Sequence, residues 1–122
     1  WEDGTIGAWA EDAAAVVDTV PGPAVLVGSS MGGWIALLLA RARPDRVAGL
    51  VTVAAAPDFT EAMWAGATDA QRAALLERGR IERPSDYGAP LVVTRALIED
   101  GRRHLVLGAP LALPMPVRML QG

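Results

Sequence analysis

The sequence predicts an α/β protein in which helices flank a parallel β-sheet. Two short apolar runs, at 24–27 and 47–54, contain several β-branched residues and indicate strands buried on both faces. An apolar helix, predicted from Met31 to about Arg43, separates them. A strand, a helix and a strand with short connections form a βαβ unit, so we expect parallel strands joined by a right-handed crossover.

The helix before the first strand is predicted from Thr5 to Val20. Apolar residues recur there with the spacing of one helix face: Ile6, Trp9, Ala13, Val16, Val17 and Val20. Pro21-Gly22-Pro23 ends this helix, and Pro44 ends the second one. In the second helix the apolar residues point in nearly all directions, which predicts that it is the most deeply buried helix.

The second half of the chain is predicted to be mainly helical before it returns to the sheet. Three helices are expected, over residues 60–65, 68–80 and about 87–101, and Thr68 with Gln71 fits a capping box. Residues 105–113 are predicted to form a hairpin that turns at Gly108-Ala109-Pro110. Residues 116–120 should then form a third strand.

The composition argues against several classes of function. The 122 residues, of which 52% are hydrophobic and 20% charged, are enough for one folded domain. A net charge of −3, without a basic stretch that is interleaved with aromatic residues, argues against a nucleic-acid-binding surface. The chain has no cysteine, which excludes disulfides, thiolate metal sites and cysteine nucleophiles. It also has no lysine, which excludes a Walker loop, a pyridoxal phosphate Schiff base and an S-x-x-K pair.

One motif carries chemistry: Gly28-Ser29-Ser30-Met31-Gly32 matches G-x-S-x-G. Ser30 has glycines at both required positions, so it is the candidate nucleophile. A sharp turn from a buried strand into an apolar helix would hold Ser30 in a strained conformation with its hydroxyl exposed. The Met31 amide would then lie at a helix N-terminus and could stabilise an oxyanion. We expect the flanking glycines, with Gly33, to allow close approach of neighbouring segments. The alternative is a Gly-Ser-rich packing turn without chemistry.

The residues around this motif resemble the centre of an α/β-hydrolase. Val25 to Trp34 and Ala42 to Val47 are similar to the esterase and palmitoyl-protein thioesterase branch, whose animal members are mitochondrial, and to its bacterial relatives. The resemblance implies one partial α/β-hydrolase domain. It has an elbow region at 24–43, a helical lid-like insertion at about 59–103 and a closing strand at about 116–120. It also implies hydrolysis of a small-molecule carboxylic ester or thioester through an acyl-enzyme on Ser30, with no cofactor or metal.

The same resemblance places the triad's acid and histidine after Gly122, so we expect a fragment that is inactive by itself. His104 is the only histidine, but it precedes the third predicted strand, whereas the family's histidine follows the last strand. Asp58 follows the second strand, where some relatives carry their acid. The alternative for Asp58 is a turn aspartate that caps the helix beginning near Thr60.

Several large side chains of the insertion could line an acyl pocket: Met63, Trp64, Leu75, Leu76 and Tyr87. Alternatively, they form the buried side of amphipathic helices, and Trp34 is either a pocket wall or a core residue. Two other functions stay open. One is a cofactor-free haloperoxidase, lyase or acyltransferase on the same fold. The other is a non-catalytic binding protein in which the elbow is only a packing turn.

No membrane span or signal peptide is predicted. The longest apolar run, Trp34 to Ala40, is far shorter than the ~20 residues that a spanning helix needs. The chain also lacks a charged start that leads into an apolar core. We therefore expect a cytoplasmic protein, and the sequence does not indicate its oligomeric state.

Overall fold

The structure is a computed structural model that describes residues 3–85 and 88–122. Its elements in chain order are α1 (Ile6–Thr19), β1 (Ala24–Ser29), α2 (Met31–Ala42), a 3₁₀ turn (Pro44–Arg46), β2 (Val47–Val53), α3 (Phe59–Ala65), α4 (Asp69–Arg78), β3 (Arg80–Arg83), β4 (Leu91–Thr94), α5 (Arg95–Gly101) and β5 (Val117–Leu120). This order confirms the predicted α/β class, the first two helices and all three predicted strands.

The main sheet has the strand order β1-β2-β5, and both neighbouring pairs are parallel. Leu26, Leu50 and Val117 are in register on the face that packs against the hydrophobic core. On the other face Val25 is 62% exposed and Val27 is 72% exposed. Within these 122 residues the prediction that β1 is buried on both faces is therefore wrong, because no described helix covers these two valines.

The second helix forms the centre of the core, as its sequence predicts. Eight consecutive residues of α2, from Gly33 to Ala40, are buried. Threonine side chains cap two of the helices. The Thr5 side chain accepts a hydrogen bond from the Ala8 amide. Thr68 and Gln71 form the predicted capping box. In residues 3–85 and 88–122, no helix has the length and apolar character needed to cross a bilayer.

Residues 59–103, which lie between β2 and β5, form an insertion with a small core of its own. Leu75, Val93 and Ile98 are buried there, and they pack against a ring of partly buried apolar side chains: Met63, Trp64, Ile81 and Leu91. Three helices, α3, α4 and α5, and an antiparallel pair of strands, β3 and β4, contribute to this cluster. The insertion is therefore held together by side chains that do not belong to the main core.

Two predictions for this half of the chain are wrong. The helix predicted over about 87–101 begins only at Arg95, because the run Leu91–Thr94, which has three β-branched residues, pairs with β3 as a strand. Residues 105–113 contain no strand, since side chains from other elements bind their backbone groups in place of a strand partner. Asp86 and Tyr87 lie outside the described residues.

Replacing Gly101 with alanine should destabilise the protein by about 2 kcal/mol, because an added methyl group would overpack a buried contact. A Cβ at Gly101 would lie 2.8 Å from Cγ2 and 2.9 Å from Cβ of Thr60, which has no exposed surface. Urea unfolding measures the change. Gly108→Ala is the matched control, because a Cβ there would have no atom within 4 Å. Equal stability of the two variants would contradict this packing.

Candidate active site

Ser30 forms the bend between β1 and α2 by itself. The strand ends at Ser29 and the helix begins at Met31, while Ser30 has φ 51° and ψ −122°. A serine at positive φ is strained, at a cost on the order of 1–3 kcal/mol. The residue is exposed, and its side chain makes no capping hydrogen bond to the helix. The bend thus places the Ser30 hydroxyl, which makes no capping hydrogen bond, at the carboxyl end of the parallel sheet. Ser30 is the residue that the motif predicts as the nucleophile.

Backbone hydrogen bonds keep Ser30 in this conformation. Its N–H donates to the Val53 carbonyl oxygen over 3.0 Å. Its own carbonyl oxygen accepts from the Gly33 and Ala56 amides, each over 3.0 Å. Two of these contacts come from β2 and the loop after it, so the neighbouring strand fixes the elbow on both sides. A strained backbone conformation of this kind persists only where the surrounding contacts hold it in place.

The glycines of the motif do not have equal roles. A Cβ at Gly28 would lie 2.6 Å from the Gly32 carbonyl carbon and 2.8 Å from Gly33 Cα, and closer still to the Gly32 oxygen. A Cβ at Gly33 would lie 2.6 Å from Cβ of Ala55. These two positions have no room for a side chain. At Gly32 nothing lies within 4 Å. The prediction that Gly32 is needed for close approach is therefore wrong in this structure.

The helix that follows Ser30 provides a donor beside the hydroxyl. Met31 is the first residue of α2, so its N–H has no acceptor four residues earlier in the helix. The helix is 12 residues long, and its dipole adds partial positive charge at this end. An oxygen atom bound near Ser30 could therefore accept a hydrogen bond from this amide. The catalytic role of Met31 stays a prediction.

Ala54 is a second strained residue near Ser30, and the sequence reasoning missed it. It has φ 45° immediately after β2, and its amide donates to the Leu120 carbonyl oxygen over 2.8 Å. Ala54 lies between Val53 and Ala56, the two residues whose backbones bind Ser30. The run Ala54-Ala55-Ala56 was the available signal, because three small residues after a strand indicate crowding.

Asp58 binds backbone that is distant in sequence. Its Oδ1 accepts from the Val106 amide over 2.9 Å, and its Oδ2 accepts from the Leu107 amide over 2.9 Å. Asp58 precedes α3 with φ 56°, but its side chain makes no hydrogen bond to that helix. Asp58 is therefore the N-cap residue of α3 by position, as the turn interpretation expects, but its side chain does not cap the helix, because the carboxylate is turned towards the segment after α5.

The His104 ring lies away from the elbow. Its Nε2 is 3.6 Å from Oδ1 of Asp100, and Oδ2 of the same carboxylate accepts from the Gly7 amide over 2.7 Å. These residues border a cavity of about 580 Å³ between α1 and α2 whose lining does not include Ser30. In the part of the chain that the structure describes, no group of three metal-ligating side chains comes together.

Trp34 belongs to the core rather than to an open pocket wall. It has no exposed surface, and its Nε1–H donates to the His104 carbonyl oxygen over 3.0 Å. Its ring meets Phe59 edge-on at 5.5 Å. Met63 and Trp64 are partly buried against the insertion's own cluster. The guanidinium of Arg102 lies 5.0 Å from the Trp64 ring.

The other pocket candidates divide between core and surface. Leu75 is buried in the insertion's cluster with 2% exposure, and Leu76 is 54% exposed. Tyr87 lies outside the described residues. The role of all these side chains in substrate binding stays a prediction.

The sequence is similar to those of known hydrolases. The model of the alpha/beta hydrolase family matches residues 2–121. The mitochondrial palmitoyl-protein thioesterase ABHD10 of Homo sapiens is 33% identical over 124 residues, which cover 99% of this chain and 40% of that protein. A pimeloyl-[acyl-carrier protein] methyl ester esterase of Yersinia enterocolitica is 44% identical over 50 residues, which cover 41% of this chain and 19% of that protein.

Two solved structures resemble the whole chain. A hydrolase from Agrobacterium vitis S4 superposes with a TM-score of 0.94 at 44% identity, over 100% of this chain and 50% of that one. Mouse alpha/beta hydrolase domain-containing protein 10 superposes with a TM-score of 0.85 at 31% identity, over 98% of this chain and 49% of that one. The chain thus spans about two-fifths of the length of the human thioesterase and about half of each solved structure.

Proposed function

Because the chain belongs to the alpha/beta hydrolase family, we propose that Ser30 is the nucleophile of an ester or thioester hydrolase in the whole protein. The observation that supports this proposal most directly is the strained, exposed serine at the N-terminus of α2. Holding a serine at positive φ costs free energy, and a turn that serves only for packing gains nothing from that cost. The strain is understandable if the hydroxyl must stand clear of the sheet to reach a substrate.

In the proposed reaction, the Ser30 hydroxyl oxygen attacks the acyl carbonyl carbon while a histidine takes the hydroxyl proton. The Met31 amide donates to the oxyanion of the tetrahedral intermediate. Expulsion of the alcohol or thiol, protonated by the histidine, leaves an acyl-serine. Water then attacks the acyl carbon and gives a proton to the histidine, which passes it to the departing Ser30 oxygen, so that the carboxylic acid and free Ser30 are released. No cofactor enters any of these steps.

The substrate class in this proposal is a small-molecule acyl ester or thioester. Similarity to proteins named for palmitoyl-protein thioester and pimeloyl methyl ester cleavage supports the acyl ester or thioester bond in this proposal. The two named reactions share an acyl carbonyl and differ in the leaving group, which is a thiol in one and an alcohol in the other. The elbow acts on the shared part, so Ser30 and Met31 suit either leaving group equally.

The base in this proposal does not come from the 122 residues. Their one histidine, His104, has its ring beside Asp100, and no contact joins that ring to Ser30 within the described residues. A serine without a positioned base is a weak nucleophile at neutral pH. We therefore propose that a histidine elsewhere in the whole protein completes the site, and that the 122-residue chain alone does not turn over.

Labelling with a fluorophosphonate tests both parts of the proposal. The whole protein should be labelled rapidly, Ser30→Ala should abolish the labelling, and Ser29→Ala should retain it as the neighbouring control. The 122-residue chain should be labelled at least about 10²-fold more slowly, the low end of what a positioned base contributes. Labelling of the whole protein that survives Ser30→Ala would contradict the nucleophile. Fast Ser30-dependent labelling of the short chain would contradict the missing base.

A further inference from the structure

We propose that Asp58 is a positioning residue that fastens the insertion beside Ser30, and that it is not the acid partner of the catalytic histidine. The kinetic consequence of this proposal rests on the proposed function, whereas its structural part, the fastening of the insertion, does not. The relevant region comprises residues 58–61 and 101–107, which we call the neck. These two segments are the points where the chain leaves the main sheet domain and returns to it.

The Asp58 carboxylate closes the neck. Its two oxygens accept three hydrogen bonds from the Val106 and Leu107 amides, which lie 48 and 49 residues further along the chain. Val106 is only 4% exposed, so its amide has little access to water as an alternative partner. Hydrogen bonds from N–H groups to a carboxylate are stronger than those between neutral groups. One side chain thus joins the residue just before the insertion to the residues just after it.

Two further contacts continue the neck into the insertion. Thr60 packs against Gly101 with no exposed surface, and Nε of Arg102 donates to Oε1 of Glu61 over 2.8 Å. The ion pair is about two-fifths exposed on each side, so it contributes little to stability. The Thr60 contact is tight but includes no hydrogen bond, since Oγ1 has no hydrogen-bond partner among the described residues. Asp58 therefore makes the strong polar contact of the neck.

The neck is also attached to the Ser30 elbow. Ala56, two residues before Asp58, donates its amide to the Ser30 carbonyl oxygen. On the other segment, the carbonyl oxygens of His104 and Leu105 accept from Trp34 and Arg41, both on α2. Since Ser30 opens that helix, both segments of the neck are tied to the elements that hold the nucleophile.

This arrangement separates two roles. Ser30 keeps its conformation through its own backbone bonds to Val53, Gly33 and Ala56, none of which involves the Asp58 carboxylate. The orientation of the insertion depends on that carboxylate, because without it the ends of a loop of about 50 residues lose their main polar link. A loosened insertion must be ordered again when substrate binds, which weakens binding more than it slows the chemical step.

The same contacts argue against Asp58 as the triad acid. A triad acid accepts a hydrogen bond from the histidine and fixes its tautomer, so its loss lowers kcat by about 10⁴-fold. Both oxygens of Asp58 already accept hydrogen bonds from backbone amides, which hold the carboxylate against the segment after α5. A positioning role predicts a far smaller loss of kcat and a larger change in KM.

The first experiment is amide hydrogen exchange in the whole protein. Asp58→Ala should accelerate exchange at Val106 and Leu107 by about 10-fold to 100-fold, the size expected for loss of hydrogen bonds to a charged acceptor. Asp58→Asn, which keeps one carbonyl acceptor, should show a smaller acceleration and serves if the alanine variant does not fold. Asp45→Asn changes the charge equally at an exposed site and should leave both amides unaffected. Unchanged exchange in both Asp58 variants would overturn the proposal.

The second experiment uses the whole protein and an acyl thioester whose hydrolysis requires Ser30. Asp58→Asn should raise KM about 5-fold or more and lower kcat less than 10-fold. A kcat loss of 10³-fold or more at unchanged KM would overturn the proposal and make Asp58 the acid partner. If hydrolysis proceeds equally in Ser30→Ala, the proposed function fails, and amide exchange alone decides the role of Asp58.

Discussion

Gly28→Ala should destabilise the protein by about 3 kcal/mol, near the upper end of what overpacking usually costs. The added methyl carbon would lie 2.6 Å from the Gly32 carbonyl carbon, 2.8 Å from Gly33 Cα and closer still to the Gly32 oxygen. Backbone at the start of α2 cannot rotate away as a side chain can, and Ser30 is fixed by hydrogen bonds on both sides. The strand and the helix must therefore separate at the elbow. Urea unfolding followed by far-ultraviolet circular dichroism measures the loss.

Gly32→Ala is the matched control in the same motif. A Cβ there would have no atom within 4 Å, and Gly32 lies in the first turn of α2. Alanine is favoured over glycine in a helix by up to about 1 kcal/mol, so the variant should be as stable as the parent or slightly more stable. If the two variants lose equal stability, the close strand–helix contact at Gly28 does not exist as described.

The elbow could be predicted from the sequence because its determinants are local. Gly28, Ser30 and Met31 occupy fixed places in five residues, and the strand and helix on either side have clear apolar patterns. The strained φ of Ser30 follows from that short connection. Ala54, which also has a positive φ, belongs to no such motif, and the run of three alanines is a much less specific signal.

The insertion was harder to predict because its patterns are ambiguous. Leu91–Thr94 is a short apolar run that suits a strand as well as the beginning of a helix, and only its pairing with β3 decides between them. The position of Asp58 favoured a local helix cap, whereas its partners lie 48 and 49 residues away. Burial of β1 was overestimated for a similar reason, since exposure at Val25 and Val27 depends on what packs against the sheet and not on the strand itself.

Trp34→Ala should destabilise the protein by about 4 kcal/mol, the usual cost of deleting a fully buried aromatic ring. The ring has no exposed surface and lies at the junction of three elements. It is part of α2, it contacts Phe59 at the start of α3, and its Nε1–H binds the His104 carbonyl oxygen after α5. The main core and the neck both lose a contact when it is removed. Far-ultraviolet circular dichroism during urea unfolding measures the change without relying on tryptophan fluorescence.

Trp34→Phe separates the ring from its polar group. Phenylalanine keeps an aromatic ring against Phe59 but has no N–H, so the His104 carbonyl oxygen loses its donor, at a cost of about 1–3 kcal/mol. We therefore expect its stability to lie between those of Trp34→Ala and the parent protein. If Trp34→Phe matches the parent, the indole hydrogen bond contributes nothing, and residue 34 supports the neck through packing alone. If Trp34→Ala costs less than 1 kcal/mol, Trp34 does not occupy the core position described for it.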